Sequence, residues 1–175
     1  MRASMCAMVF FLSLTLGCIS IVRYRVMQNE PAAPPSFASY KNIQVGWLDF
    51  DEEKWNFYGY DTKDIWKTVS RDMNIEGLHV FLKDMLKDRT VTGAASKAAG
   101  MPKSGDLYVS FTKTDDVRSY ILTTVTFTDI KSGKKLYSAR VEAKQPKGFV
   151  TNFEMTLTDE TRSLAGFVAE TINRK

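Results

Sequence analysis

Two hydrophobic periods divide the folded part of the chain. Ile43, Val45 and Trp47 alternate with Gln44 and Gly46, the two-residue repeat of a half-buried strand, which predicts a first strand over residues 42–50. Asp61 is placed to cap a helix whose apolar positions Ile65, Trp66, Val69 and Met73 recur at helical spacing. Asn74 and Gly77 interrupt that stripe, and Leu78, Phe81, Leu82, Met85 and Leu86 resume it. The pattern predicts two helical pieces with a kink or short turn between them. Residues 90–106, "TVTGAASKAAGMPKSGD", have no apolar period and predict a long connection.

Alternation then returns three times. Leu107, Val109 and Phe111 alternate with Tyr108, Ser110 and Thr112; Ile121, Thr123, Val125 and Phe127 alternate mostly with Thr; Tyr137, Ala139, Val141 and Ala143 alternate with Ser138, Arg140 and Glu142. The last two strands are joined through "DIKSGKKL", where Gly133 supplies the positive φ of a tight hairpin. Phe149, Thr151, Phe153, Met155 and Leu157 suggest one more extended stretch. Thr158 is then placed to cap a final helix with Leu164, Phe167, Val168 and Ile172 on one side. The order predicts an α+β fold: an antiparallel-dominated sheet of four to five strands with helices packed on one face.

The N-terminus follows neither period. Ala3 to Val22 holds no charged residue, and Arg2 precedes it. Twenty helical residues reach about 30 Å, enough to cross a bilayer. Thr15-Leu16-Gly17-Cys18 resembles the lipobox of bacterial lipoproteins, which implies lipidation at Cys18. Residues 1–22 are therefore expected to be a signal peptide or membrane anchor, and 23–40, with Pro31, Pro34 and Pro35, an extended linker. Residues 41–175 are expected to form a single extracytoplasmic domain. Lipidated, uncleaved and secreted forms all leave the cytoplasm.

Charge changes the picture little. Of 24 basic residues, Arg2, Arg23 and Arg25 belong to the terminal segment, and the other 21 face 20 acidic ones. With no clustered basic stripe, nucleic acid is not an expected partner. The two cysteines, Cys6 and Cys18, both fall in the apolar run, which excludes thiol chemistry and disulfides from the folded part.

The remaining chemistry is sparse. His79 is the single histidine, too few for a zinc site and placed like a boundary residue on a helix. Asp49 and Asp51, with Glu52 and Glu53, form an acidic cluster at the end of the first strand. Such oxygens could hold a hard cation, so a cation-dependent hydrolase is an alternative reading. The segment 90–106 lacks the Gly-Lys-Ser/Thr ending of a phosphate cradle. "WNFYGY" places Trp55, Phe57, Tyr58 and Tyr60 together, a set suited to partner binding. A small apolar ligand or lipid between helices and sheet is a further alternative.

The hairpin residues Asp129, Lys131, Ser132, Gly133, Leu136, Tyr137 and Ser138, with the element order, resemble small accessory domains of bacterial envelope lipoproteins. These are the curli-secretion lipoprotein, the lipoproteins that activate penicillin-binding proteins, and the amino-terminal domain of the Tol translocation protein. The resemblance implies a non-catalytic, membrane-tethered domain without cofactor in the bacterial cell envelope. Its partners would be the membrane, through the N-terminal anchor, and an envelope protein or assembly.

Overall fold

The computed structural model describes residues 24–49, 63–114, 122–143 and 153–174, with only the backbone described at 63–66 and 153–157. The elements in chain order are β1 (Tyr24–Glu30), β2 (Asn42–Val45), α1 (Lys63–Asp72), a π-helical stretch (Met73–Leu78), α2 (His79–Met85), β3 (Thr90–Gly93), β4 (Leu107–Lys113), β5 (Leu122–Asp129), β6 (Lys135–Ala143) and α3 (Phe153–Asn173).

Six strands form one sheet in the order β1, β6, β5, β4, β2, β3. The run from β1 to β4 is antiparallel, whereas β2 lies parallel to both β4 and β3. The α+β class is as expected, but the sheet is larger than four to five strands and it is mixed. Parallel neighbours cannot be joined by a hairpin. The helical segment between β2 and β3 makes that connection, and residues 94–106 bring the chain back to β4 on the other side of β2.

The predicted alternation sorts the two faces. Leu107 and Val109 on β4, Val125 and Phe127 on β5, and Tyr137, Ala139 and Val141 on β6 are buried. They meet Leu78, Leu82 and Leu86 from the helical segment and Leu164, Phe167, Val168 and Ile172 from α3 in one continuous core. Each such aliphatic or aromatic side chain contributes roughly 1.5–3 kcal/mol on burial. The opposite face carries Tyr108, Ser110, Thr124, Thr126, Ser138 and Arg140, all half-buried.

The interruption at Asn74 and Gly77 is a π-helical stretch continuous with the helices on either side. Asn74 is fully buried there, and its amide imitates a neighbouring strand. Its Oδ1 accepts from the Leu48 N–H at 2.8 Å, and its Nδ2 donates to the Leu48 carbonyl at 3.0 Å and the Ser70 carbonyl at 2.9 Å. Strand β2 ends at Val45, short of the predicted residue 50, so buried Leu48 has no ladder partner of its own. A buried peptide group without partners is costly, and one side chain satisfies both of its ends.

Gly133 takes the predicted left-handed turn at φ +68° between β5 and β6. Three expectations are corrected. Residues 153–157 belong to α3, so Thr158 lies within the helix and does not begin it; the alternation of Phe153, Met155 and Leu157 was accidental to a helix. The long connection begins as β3, in which only Val91 is buried, too short a signal for a two-residue period. Within the linker expected over 23–40, Tyr24–Glu30 form an edge strand, β1, paired with β6. That linker also holds Phe37, fully buried against Phe127 at 5.3 Å between ring centroids. Six of the seven β1 residues are exposed, which is why the strand reads as spacer.

Among the described residues no helix is long and apolar enough to cross a membrane. The apolar run 3–22, with Cys18, lies outside the described residues.

Candidate functional site

Two concave places are built from described residues, and their chemistry differs. The first is an acidic notch of about 200 Å³ lined by Ser39, Tyr40, Asp106, Asp129 and Lys131. Asp106 sits between Gly105 and the start of β4. Its Oδ2 accepts from the backbone N–H groups of Lys41 and Asn42 at 3.1 and 2.9 Å and from the Asn42 amide at 3.1 Å. Asp129, at the end of β5, accepts from the Tyr40 hydroxyl at 3.0 Å and from the Ser132 N–H and hydroxyl, both at 2.7 Å.

These donors stabilise the anions. The Asn42 and Lys41 N–H groups hold the Asp106 carboxyl below its ordinary value, and Ser132 does the same for Asp129. A carboxylate engaged this way is a poor base, and its lone pairs are committed to the loop before β2 and the hairpin turn. The notch is a clasp holding three loops together.

The second place is an open groove of about 350 Å³ between β1 and α3. Its floor is aromatic: Tyr24 meets Phe167 edge-on at 5.3 Å and 72°, and Tyr137 lies beside them. Charged residues of both signs line it: Glu170 from the last turn of α3 and Arg174 from just beyond the helix end at Asn173. The Tyr24 hydroxyl donates to Glu170 Oε2, and its own proton is held well above the ordinary phenol value, by desolvation first and by Glu170 second. Beside the groove, Val26 and Met27 on β1 are 38% and 44% exposed.

Residues singled out in the sequence fall elsewhere. Asp49 makes an ion pair with Lys97 at 3.0 Å, and Asp51 lies outside the described residues, so the two are not brought together as a described site. Among the described residues no three His, Cys, Asp or Glu side chains are grouped to hold a metal. Trp55, Phe57, Tyr58 and Tyr60 also lie outside the described residues.

His79 is buried where α2 crosses the end of the parallel strands, 5% exposed. Burial pushes its pKa below the ordinary imidazole value, against an opposing hydrogen bond that the ring donates to the Gly46 backbone carbonyl. Its ring lies so close to Gly93 that a Cβ there would come within 1.9 Å of Nδ1. It is a packing residue of the sheet.

The groove was not foreseen. Tyr24 and Val26 stood in the supposed linker, and the reading of the final helix named only its apolar side, Leu164, Phe167, Val168 and Ile172. The sequence of β1, Tyr-Arg-Val-Met-Gln-Asn-Glu, carries no sustained two-residue period to mark it as a strand.

No family model and no curated protein matches the chain. Among solved structures it is similar to PelC dodecamers from Paraburkholderia phytofirmans. One, a leucine-to-methionine variant, is 13% identical with a TM-score of 0.48, covering 87% of this chain and 100% of that one. Another is 15% identical with a TM-score of 0.48, covering 87% and 99%. The resemblance read from the Asp129 to Ser138 hairpin, to curli-secretion, penicillin-binding-protein-activating and Tol-type domains, is thereby corrected. A Gly-centred turn between two central strands is demanded by any twisted hairpin and selects no family.

Proposed function

We propose that the chain is a membrane-tethered extracytoplasmic (lipo)protein of the bacterial cell envelope that acts by binding, as a non-catalytic scaffold for another envelope component. The observation that carries this reading is the junction at Tyr24. Strand β1 begins there, and only Arg23 separates it from the end of the uncharged run at Val22. An anchor joined directly to an edge strand holds the whole sheet at the membrane surface in a restricted orientation, which suits a platform.

Two further features support it. The strongest carboxylate cluster among the described residues is committed to backbone donors. The half-buried face with Tyr108, Ser110, Thr124, Thr126 and Ser138 is rich in hydroxyls, a surface able to meet a protein partner through many short polar contacts. The aromatic set Trp55, Phe57, Tyr58 and Tyr60 is the second contact region in this reading.

The test is photo-crosslinking in cells, with the photoreactive residue at Thr126 in one strain and at Tyr58 in another, followed by mass spectrometry of the captured partner and of the mature N-terminal peptide. An envelope protein captured at either position, from a membrane fraction in which Cys18 is acylated or the run 3–22 is retained, is the expected result. A chain found soluble in the cytoplasm would overturn the reading.

A further inference from the structure

The groove between β1 and α3 has three properties that a wholly protein-facing crevice does not need together. Its aromatic floor is bordered by an exposed apolar side chain on the strand nearest the apolar run, Val26, and the next residue along that strand, Met27, is exposed as well. Basic residues Arg23 and Arg25 flank Tyr24, the aromatic-plus-basic combination that settles at a membrane–water interface. Its far side presents a carboxylate, Glu170 in the last turn of α3, and a guanidinium, Arg174, just beyond the helix end; both line the same groove.

That pairing selects a ligand with a cation and an anion a few bonds apart, attached to something apolar. Glu170 already accepts from Tyr24, and its carboxylate retains acceptor capacity for ammonium N–H donors. Arg174 offers the forked donors that fit a phosphate. The rings of Tyr24 and Phe167 meet edge-on and form no cage of stacked faces of the kind that selects a quaternary ammonium. A primary ammonium is the better match.

We infer that this groove is a site for the ethanolamine-phosphate headgroup of a bilayer phospholipid, with Glu170 receiving the ammonium, Arg174 the phosphate, and Val26 and Met27 lying at the acyl boundary. The inference rests on the tethering reading above, because the lipid must come from the membrane that holds the anchor. It adds to that reading a lipid class and a fixed orientation: the β1 edge faces the bilayer and the β3 edge faces away.

The experiment uses the full chain reconstituted into vesicles of phosphatidylethanolamine and phosphatidylglycerol, or of phosphatidylcholine and phosphatidylglycerol in the same proportions. Photoreactive p-benzoylphenylalanine replaces Val26, Met27 or, on the far edge, Thr92. Flotation first reports whether the chain holds the membrane. Lipid adducts read by mass spectrometry are expected at positions 26 and 27 and not at 92. At 26, phosphatidylethanolamine adducts should exceed phosphatidylcholine adducts by up to roughly tenfold, the scale of one charge-assisted hydrogen bond. Glu170→Gln should abolish that preference at 26, and Arg174→Gln should lower adducts of both zwitterionic lipids there.

A chain that does not float overturns the tether and the headgroup site together. Flotation with equal labelling at 27 and 92 overturns the headgroup site alone. Labelling at 27 with no headgroup preference at 26, or with phosphatidylcholine preferred, also overturns the site and leaves the tether standing.

Discussion

The two ends of the sheet are held together by different means. At the parallel end, β4, β2 and β3 are bolted by polar side chains that reach backbone groups far away in sequence. Asn74 pairs with Leu48, and Asp106 grips Lys41 and Asn42. Arg89, its side chain 5% exposed, donates to the carbonyls of Phe37 and Tyr40 at 2.9 Å and of Ile172 at 3.3 Å. At the antiparallel end, β5, β6 and β1 zip residue against residue, and rings from Tyr24, Phe127, Tyr137 and Phe167 fill the space beneath. Hairpins satisfy their own backbone, whereas crossover connections leave peptide groups stranded at every strand end. The difference teaches where function has room: Asn74, Asp106 and Arg89 are each held by two or more backbone groups, whereas Glu170 in the β1 groove accepts from the Tyr24 side chain.

The sharpest way to break this contrast is Asn74→Ala. It strands both polar groups of buried Leu48 and should cost roughly 2–4 kcal/mol, a fall in Tm of about 10 °C by thermal unfolding. Hydrogen exchange should accelerate first in β2 and β3, with β5 and β6 protected longest. Uniform acceleration across the sheet would show that the two ends do not differ in this way.

Gly93→Ala follows. The new methyl group meets the His79 ring and the overpacking should cost about 1–3 kcal/mol, most of it recovered in the double variant with His79→Ala. A thermal melt of each variant decides it.

Acid should act in two windows, one through His79 at the parallel end and one through the clasp of Asp106 and Asp129. The pKa of His79 is lower in the fold than its ordinary 6.5, so the unfolded chain binds the proton first. Stability is unaffected above about pH 6.5 and falls as the pH drops from there toward the lower folded value. His79→Gln should flatten that window. Asp106 and Asp129 have folded values below their ordinary 3.8. The stability they add is therefore present above about pH 4 and lost as pH falls through the folded values. Denaturant titrations across pH measure both.

Smaller effects belong to the antiparallel end. Gly133→Ala places a Cβ in a left-handed turn with open space around it, at about 1 kcal/mol. Glu170→Gln, on an exposed position, should leave stability within about 0.5 kcal/mol of the parent. A much larger loss there would mean that the groove is part of the structural framework after all.

The sequence was informative where burial follows a period. Strands β4, β5 and β6, the apolar sides of the helical segment and of α3, the hairpin at Gly133, and the break at Asn74 are all readable, because one face of each element must be apolar and the turn must be a glycine. Strands β1 and β3 were not readable. Edge strands bury one face at most, β3 has four residues, and β1 is nearly all exposed. The helical start at Phe153 was hidden because alternating aromatics there imitate a strand.

What the chain determined alone is therefore its class, its core and its apolar N-terminal run, each set by local spacing of apolar residues. What only the tertiary structure decided is which polar residues are used up. Asp106, Asp129, Arg89 and Asn74 look no different in sequence from Glu170 and Arg174, since nothing local distinguishes a side chain aimed at a stranded peptide group from one aimed at an open groove. That distinction depends on partners brought from dozens of residues away, and so it exists only once the sheet has closed.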